Sequence, residues 1–265
     1  MSAATYVVEA YNTATGSTNK IHDDAVARTY GFRGGLVPGV DVYAYLTHVP
    51  AERWGLDWLG HGSIAARFGK PVYDGHVVTV IATEDGDGLD LAVVDAAGTV
   101  AATARATRAS IEPGGPSPVA AALPGERPPA SPDSLRVGTV LGSLTDVFDA
   151  RLAAPYLADV RESLPIYASV AHPGWLLRFA NSILARNVEL GPWIHVSSEV
   201  SLLGVLADRE RVEVRAVVLD EFARKGHRFV TLDVAIESDG RPIQRITHTA
   251  IHEPRPVAQA GPTKR

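Results

Sequence analysis

Residues 16–46 read Gly16-Ser17-Thr18-Asn19-Lys20-Ile21-His22-Asp23-Asp24-Ala25-Val26-Ala27-Arg28-Thr29-Tyr30-Gly31-Phe32-Arg33-Gly34-Gly35-Leu36-Val37-Pro38-Gly39-Val40-Asp41-Val42-Tyr43-Ala44-Tyr45-Leu46. The polar run from Asn12 to Asn19 is rich in Thr, Ser, Gly and Asn, whose side chains compete for backbone hydrogen bonds and favour turns. Asp23 or Asp24 is suited to cap a short helix that carries Ala25, Val26 and Tyr30 and breaks at Gly31. Gly34-Gly35 lets the backbone turn sharply, and Pro38 fits a first helical turn, where no N–H is required. From Gly39 the residues Val40, Val42, Tyr43, Leu46 and Val49 are apolar on most sides, so a helix there is expected to be wrapped by sheet and to stop at Pro50. Two helical pieces joined by a glycine loop, with His22 at one end and bare backbone N–H groups at the other, outline a pocket.

Outside this stretch the texture is extended. Tyr6 to Tyr11 can be read as a short strand or helix. Ser63–Phe68, His76–Ala82, Leu89–Val94 and Val100–Thr107 are β-rich runs separated by Asp-Gly, Gly-Asp and Ala-Gly turn signals. Asp85-Gly86-Asp87-Gly88 resembles part of a calcium loop but lacks the later ligands, so a hairpin turn is expected. Residues 111–134 hold seven prolines and three glycines with almost nothing large and apolar to bury, the composition of an extended, semi-rigid linker. The second half then replays the first: an approach segment and short helix over 146–164, Tyr167, a Pro-Gly helix start at His172-Pro173-Gly174, and four extended runs at 193–203, 211–219, 228–237 and 243–252. A helix followed by four antiparallel strands, present twice, reads as a duplicated unit of class α+β. The expected division is 1–110, a linker at 111–134, 135–254, and a disordered tail at 255–265.

Composition narrows the function. The 265 residues are 46% hydrophobic and 21% charged, ordinary for a globular protein. With no Cys, disulfides, thiolate nucleophiles and Cys-ligated metals are excluded, and a cytoplasmic location is expected. A net charge of -5 argues against nucleic acid or an anionic membrane as partner, and no apolar run approaches the roughly 20 residues of a membrane span. His248 and His252 are four apart in an apparent strand, roughly 13 Å at about 3.3 Å per residue, too far for one metal ion. His61, His76, His195 and His227 show no ligand spacing either, so no metal site is expected. No P-loop, dinucleotide fingerprint or Gly-x-Ser-x-Gly elbow is present.

Three segments resemble a known family. Gly16-Ser17-Thr18-Asn19-Lys20-Ile21-His22 is similar to the Gly-Asp-x-Asn-Pro-Leu-His hydratase motif of the MaoC-like hydratase/dehydratase family. Residues 31–39 look like its glycine loop running into the central helix, and Phe68-Gly69-Lys70-Pro71-Val72-Tyr73-Asp74-Gly75-His76 resembles its Phe-x-x-Pro-Val-x-x-Gly-Asp strand signature. The resemblance implies a double hot-dog fold, each half an antiparallel sheet wrapped around a long central helix. It also implies acyl thioesters of CoA or a carrier protein as substrates, with no separate cofactor. Two departures stand out: the family's catalytic aspartate falls on Ser17 and its motif proline on Lys20. In the second half the motif falls on Arg161-Glu162-Ser163-Leu164-Pro165-Ile166-Tyr167, with Glu162 at the acid position and Tyr167 in place of the histidine.

Water addition to, or loss from, an enoyl thioester needs an acid/base and donors for the charge that builds on the thioester oxygen. His22 is the acid/base candidate, since imidazole titrates near neutrality; a solvated turn histidine is the plainer alternative. The Gly39 N–H, at a helix start with no side chain in the way, is the candidate oxyanion donor. Asn19 would orient substrate or water, and Ser17 would position a water. Asp41, favoured by the helix dipole, is a candidate replacement for the missing carboxylate, as is Glu162 if the halves share a site. Arg33, Val37, Tyr43, Glu162 and Tyr167 are the expected substrate contacts, and Arg33, Arg67, Lys70, Arg108 and Lys225 are available for CoA phosphates. The leading expectation is an enoyl-thioester hydratase or 3-hydroxyacyl-thioester dehydratase. The alternatives are an acyl-CoA thioesterase on the same fold and a non-catalytic acyl-thioester-binding or partner subunit. A fused pair of units makes a monomer plausible, with a homo-oligomer open.

Overall fold

The computed structural model describes residues 3–109, 111 and 115–255. The first half runs β1 (Ala3–Glu9), a 3-10 turn at Lys20–His22, α1 (Asp24–Thr29), α2 (Gly39–His61), β2 (Ser63–Phe68), β3 (Val77–Asp85), β4 (Gly88–Asp95) and β5 (Val100–Thr107). The second runs β6 (Val140–Val147), α3 (Ala150–Asp159), a 3-10 turn at Pro165–Ala168, α4 (Pro173–Asn187), β7 (Ile194–Leu202), β8 (Arg211–Arg224), β9 (His227–Ser238) and β10 (Arg241–Glu253).

All ten strands form one antiparallel sheet in the order β1-β3-β4-β5-β2-β7-β10-β9-β8-β6. Read outward from its centre, the first half gives β2, β5, β4, β3, β1 and the second gives β7, β10, β9, β8, β6, the same order in each copy. The halves join where β2 pairs with β7, from Ser63 opposite Ser201 to Arg67 opposite Ser197. The duplicated α+β architecture expected from the sequence, a double hot-dog with a sheet wrapped around α2 and α4, is the one observed. Each copy has five strands instead of the expected four. β1 pairs with β3, and β6 pairs with β8 across a bulge between Leu141 and Leu144. Gly142 and Ser143 weaken the propensity of β6, so its partner strand makes it extended.

Every residue from Val40 to Ala51 is buried, as its all-round apolarity requires. Contrary to the stop expected at Pro50, the helix continues through it and breaks only at Gly55, whose φ of 57° leaves the helical region. Losing one N–H bond at Pro50 is tolerated because the surrounding sheet holds the segment from all sides. Asp23 and Asp149 cap α1 and α3 in matching ways, each accepting two N–H groups of its first turn. The Asp85–Gly88 segment is the β3–β4 hairpin turn, and the Asp85 carboxylate binds Arg105 at 2.7 Å.

Residues 115–134 are extended, but they lie against the second half. Ser143 N–H donates to Ala121 O at 2.8 Å, and Ala130 N–H donates to Glu189 O at 2.9 Å. Of the expected tail, Arg255 donates its N–H to His227 Nδ1 at 3.1 Å, and Pro256–Arg265 lie outside the described residues. Among the described residues no helix is long and apolar enough to cross a membrane.

Candidate active site

The polar turn is held by its own amides. Asn12 accepts the Ala14 N–H and donates to the His22 carbonyl, so residues 12–22 close on themselves. Asn19 caps the 3-10 turn by accepting the Ile21 N–H, and Ser17 Oγ accepts the Asn19 N–H at 3.1 Å. The glycine loop then folds back over His22. A side chain on Gly35 would collide with the His22 carbonyl oxygen, and the Gly35 N–H donates to Asp24 at 2.7 Å. That close approach sets the next carbonyl, Leu36 O, 2.6 Å from His22 Nδ1.

The contact decides the imidazole tautomer. A carbonyl only accepts, so Nδ1 carries the proton and Nε2 presents a lone pair. The other neighbour of Nε2 is the Asn19 amide nitrogen at 3.4 Å. Burial lowers the His22 pKa, offset in part by the Leu36 carbonyl and by Asp41, so the ring is neutral at pH 7 and its unprotonated Nε2 is a base.

Across from it α2 begins without a side-chain cap, because Pro38 has none to offer. Asp41 and Val42 donate to Pro38 O, and among the described residues the Gly39 N–H finds no acceptor. His22, Asn19, Val37 and Gly39 line one cavity of about 370 Å³, whose walls are mostly apolar: Ile21, Phe32, Leu36, Val42, Phe68, Val72, Ile194, Phe229 and Ile251. Its polar groups also include Asn181, whose Oδ1 is buried without a partner, and His195. Among the described residues no Asp or Glu lines it. A more polar groove of about 390 Å³, with Thr13, Ser17 and Arg178, shares Asn19, His22, Pro38, Asn181 and Trp193 with the cavity, so His22 stands in the wall between the two.

Several expected site residues are elsewhere. Ser17 faces the polar groove and not the apolar cavity. Asp41 does not line the cavity: it is fully buried, accepting from Arg178 at 2.9 Å and Thr13 at 2.6 Å, and so ties the polar turn to α4. Burial raises its pKa while Arg178 and Thr13 pull it back. Arg33 lies at the surface, where its N–H bonds the Tyr73 hydroxyl, and Tyr43 is fully buried in the core. Glu162 and Tyr167 are not in the cavity either. They lie in a closed cluster where Glu162 receives His48 Nδ1 at 3.1 Å and the N–H groups of Ser163 and Leu164. Burial alone would raise the Glu162 pKa, but hydrogen bonds from His172 and His48 outweigh it and hold the carboxyl far below its ordinary value.

That cluster shows why the second copy differs. There His172 caps its own helix, Nδ1 accepting the Gly174 N–H at 2.9 Å, and the Tyr156 hydroxyl crowds the space beside Gly174. The amide that stays open on α2 is consumed on α4. His172 and Tyr156 carry no motif signal; only their fold positions reveal the plugging.

The residue that sequence reading passed over is His195. It enters the cavity from β7, the strand of the other half that pairs with β2, and a Cβ on Gly39 would lie only 2.7 Å from its Nδ1. The ring packs on Phe68 at 4.5 Å between centroids. Its Nε2 bonds Ser198 Oγ at 2.8 Å, which bonds His248 Nδ1 at 3.0 Å. His195 and Ser198, at i and i+3 in a strand, give no local pattern that would have marked the pair; a bulge in the β7–β10 register at Thr249/Ala250 lies beside them.

No protein-family model and no curated protein sequence matches the chain. Solved structures do. A chain from Chloroflexus aurantiacus J-10-fl described as a MaoC domain protein dehydratase aligns with a TM-score of 0.69 at 12% identity, over 96% of this chain and 95% of that one. RV0216 from Mycobacterium tuberculosis, described as a double hot-dog fold, aligns at 0.59 and 14% identity over 95% and 96%. The dehydratase domain of PpsC from Mycobacterium tuberculosis, solved in complex with C12:1-CoA, aligns at 0.50 and 13% identity over 94% and 93%. At such identities the likeness establishes the fold: the chain is a double hot-dog protein.

Proposed function

We infer that this protein is a thioester-acting enzyme that adds water to a trans-2-enoyl thioester or removes it from a 3-hydroxyacyl one. The observation that carries this reading is the meeting, on one apolar cavity, of a neutral His22, whose unprotonated Nε2 meets only the Asn19 amide at 3.4 Å, and a helix-start N–H at Gly39 with no acceptor among the described residues.

The steps follow from those two groups. His22 Nε2 takes a proton from water as the water oxygen bonds C3, and the electrons of the double bond move onto the thioester oxygen. The Gly39 N–H, at the positive end of the long α2, holds that charge. The imidazolium then returns the proton to C2, so water has been added and the ring is neutral again. One base on one face suffices, which is how the chemistry proceeds with serine where the resembled motif has aspartate. The Asn181 carbonyl oxygen, buried and unpartnered, is placed to accept from the attacking water. No cofactor takes part beyond the CoA or carrier arm of the substrate, and the complex of the PpsC dehydratase domain with C12:1-CoA supports an acyl-CoA substrate class. In the thioesterase reading Asp41 or Glu162 would activate the water, and both are bound up elsewhere.

The test is hydration of a trans-2-enoyl-CoA series by the wild type and His22→Ala. Turnover by the wild type that the variant lacks supports the reading. Wild-type rates in the variant, or release of free CoA thiol in place of hydration, would overturn it.

A further inference from the structure

His195 leaves one ring nitrogen unexplained. The side chain is 6% exposed and lines the cavity, and its Nδ1, which lies beside Gly39, is buried with no hydrogen-bond partner among the described residues. A buried polar atom left unpaired is destabilising, which makes it a candidate for a contact completed by a ligand.

The proton on that nitrogen can be worked out from the chain behind it. Ser198 has one hydroxyl proton and two lone pairs; if both rings donate to it, its own O–H is left with no acceptor among the described residues, and otherwise two neutral arrangements remain. In one, His195 Nε2–H donates to Ser198, Ser198 donates to His248 Nδ1, and His248 is left with an N–H on Nε2. In the other, His248 Nδ1–H donates to Ser198, Ser198 donates to His195 Nε2, and His195 carries its proton on Nδ1. His248 is fully buried and its Nε2 has no partner among the described residues. Each arrangement leaves one N–H unpaired; only the second puts it on the ring that lines the cavity beside Gly39, where a substrate oxygen can accept it, and not in the dry core, which favours the second. Charged alternatives are disfavoured, since burial pushes the pKa of His195 well below its ordinary value, helped by His248 and only partly opposed by a backbone hydrogen bond with Ser197, and burial brings that of His248 to about 3.

We propose that His195 is a second oxyanion donor, its Nδ1–H meeting the thioester carbonyl oxygen beside the Gly39 N–H, with Ser198 and His248 as positioning residues that fix its tautomer. This rests on the hydratase reading and deepens it. It makes the active site a composite, with the base from the first half and one of two donors from the second. It also gives a reason for the close approach at Gly39, where a side chain would push His195 away from the oxygen.

The experiment uses the full chain with trans-2-enoyl-CoA substrates of short and medium length. Removing one such donor typically costs on the order of 100- to 1,000-fold in kcat, so His195→Leu is expected to show a loss of that size with KM little changed. His195→Asn, whose amide nitrogen reaches the place of Nδ1, is expected to recover about tenfold or more of it. In 15N spectra of the histidine-labelled wild type, the signal missing from His195→Asn identifies the ring and is expected to show a protonated Nδ1 and a bare Nε2. A bare Nδ1, or His195→Leu with wild-type kcat while His22→Ala is inactive, overturns this inference and spares the hydratase reading. Full activity in His22→Ala overturns both. The spectra need no variant to be active, so the tautomer is decided even if His195→Leu fails to fold.

Discussion

The side-chain amide of Asn19 pairs edge to edge with the backbone of Trp193: Oδ1 accepts the Trp193 N–H at 3.1 Å, and Nδ2 donates to the Trp193 carbonyl at 3.0 Å. One side chain thus acts as an extra rung on the strand that carries His195, and stitches the motif of one half to the sheet of the other. The same amide keeps its second N–H toward His22 Nε2.

Asn19→Ala is therefore expected to unfold more easily as well as to lose activity. Two backbone groups of Trp193 are stranded at about 1–3 kcal/mol each, partly relieved by water, and each kcal/mol lowers Tm by about 2–4 °C in a chain of this size. Thermal unfolding by circular dichroism measures it. An unchanged Tm would mean that the pairing adds nothing to stability.

Ser17→Asp restores the residue type of the resembled motif but not its geometry. Ser17 opens onto the polar groove, and its Oγ is taken by the Asn19 N–H. Enoyl-CoA hydration by this variant is expected to be no faster than wild type. A gain of tenfold or more, about 1.4 kcal/mol of barrier, would show that a carboxylate at 17 reaches the reacting water.

Arg178→Met removes the charge partner of a fully buried Asp41. The expected loss is toward the lower end of about 3–5 kcal/mol, since the Arg178 side chain is one-third exposed and already screened. Urea unfolding should show the deficit shrinking at acid pH, as Asp41 takes up a proton, and shrinking again in the double variant with Asp41→Asn. A deficit independent of pH would point to lost packing of Arg178 on Tyr156 instead.

The buried histidines predict how pH acts. Burial lowers the pKa of His22, so the base form is complete at neutral pH and kcat/KM is expected to be flat there, falling only below the ordinary histidine value near 6.5. Stability follows the same sign. His248 has a folded pKa of about 3, so its neutral form contributes fully above about 6.5 and the contribution is lost as pH falls, at about 1.4 kcal/mol per pH unit. His195 and His172 add to it in the same direction. Tm measured from pH 8 to 5 should be level and then drop below about 6.5. A drop that begins only below about 4.5, in the carboxylate range, would contradict this.

What the sequence by itself determined is whatever local chemistry determines. The all-round apolar run from Gly39 marked a wrapped helix, alternating Val-rich runs between Gly turns marked strands, and a repeated Pro-Gly start marked the duplication. His22 and Gly39 were legible as partners because a turn, a glycine loop and a helix start lie within two dozen residues of each other. Tertiary structure decided the rest, because the remaining contacts join residues far apart in the chain. Asp41 went to Arg178 and Glu162 to His48, each pairing spanning more than a hundred positions, since a carboxylate that burial takes out of water must find a cation or N–H groups wherever the fold supplies them. Which copy kept an open helix start depended on His172 and Tyr156 filling one pocket and not the other. His195 entered the site only through the pairing of β2 with β7, a register that no local pattern in the chain encodes.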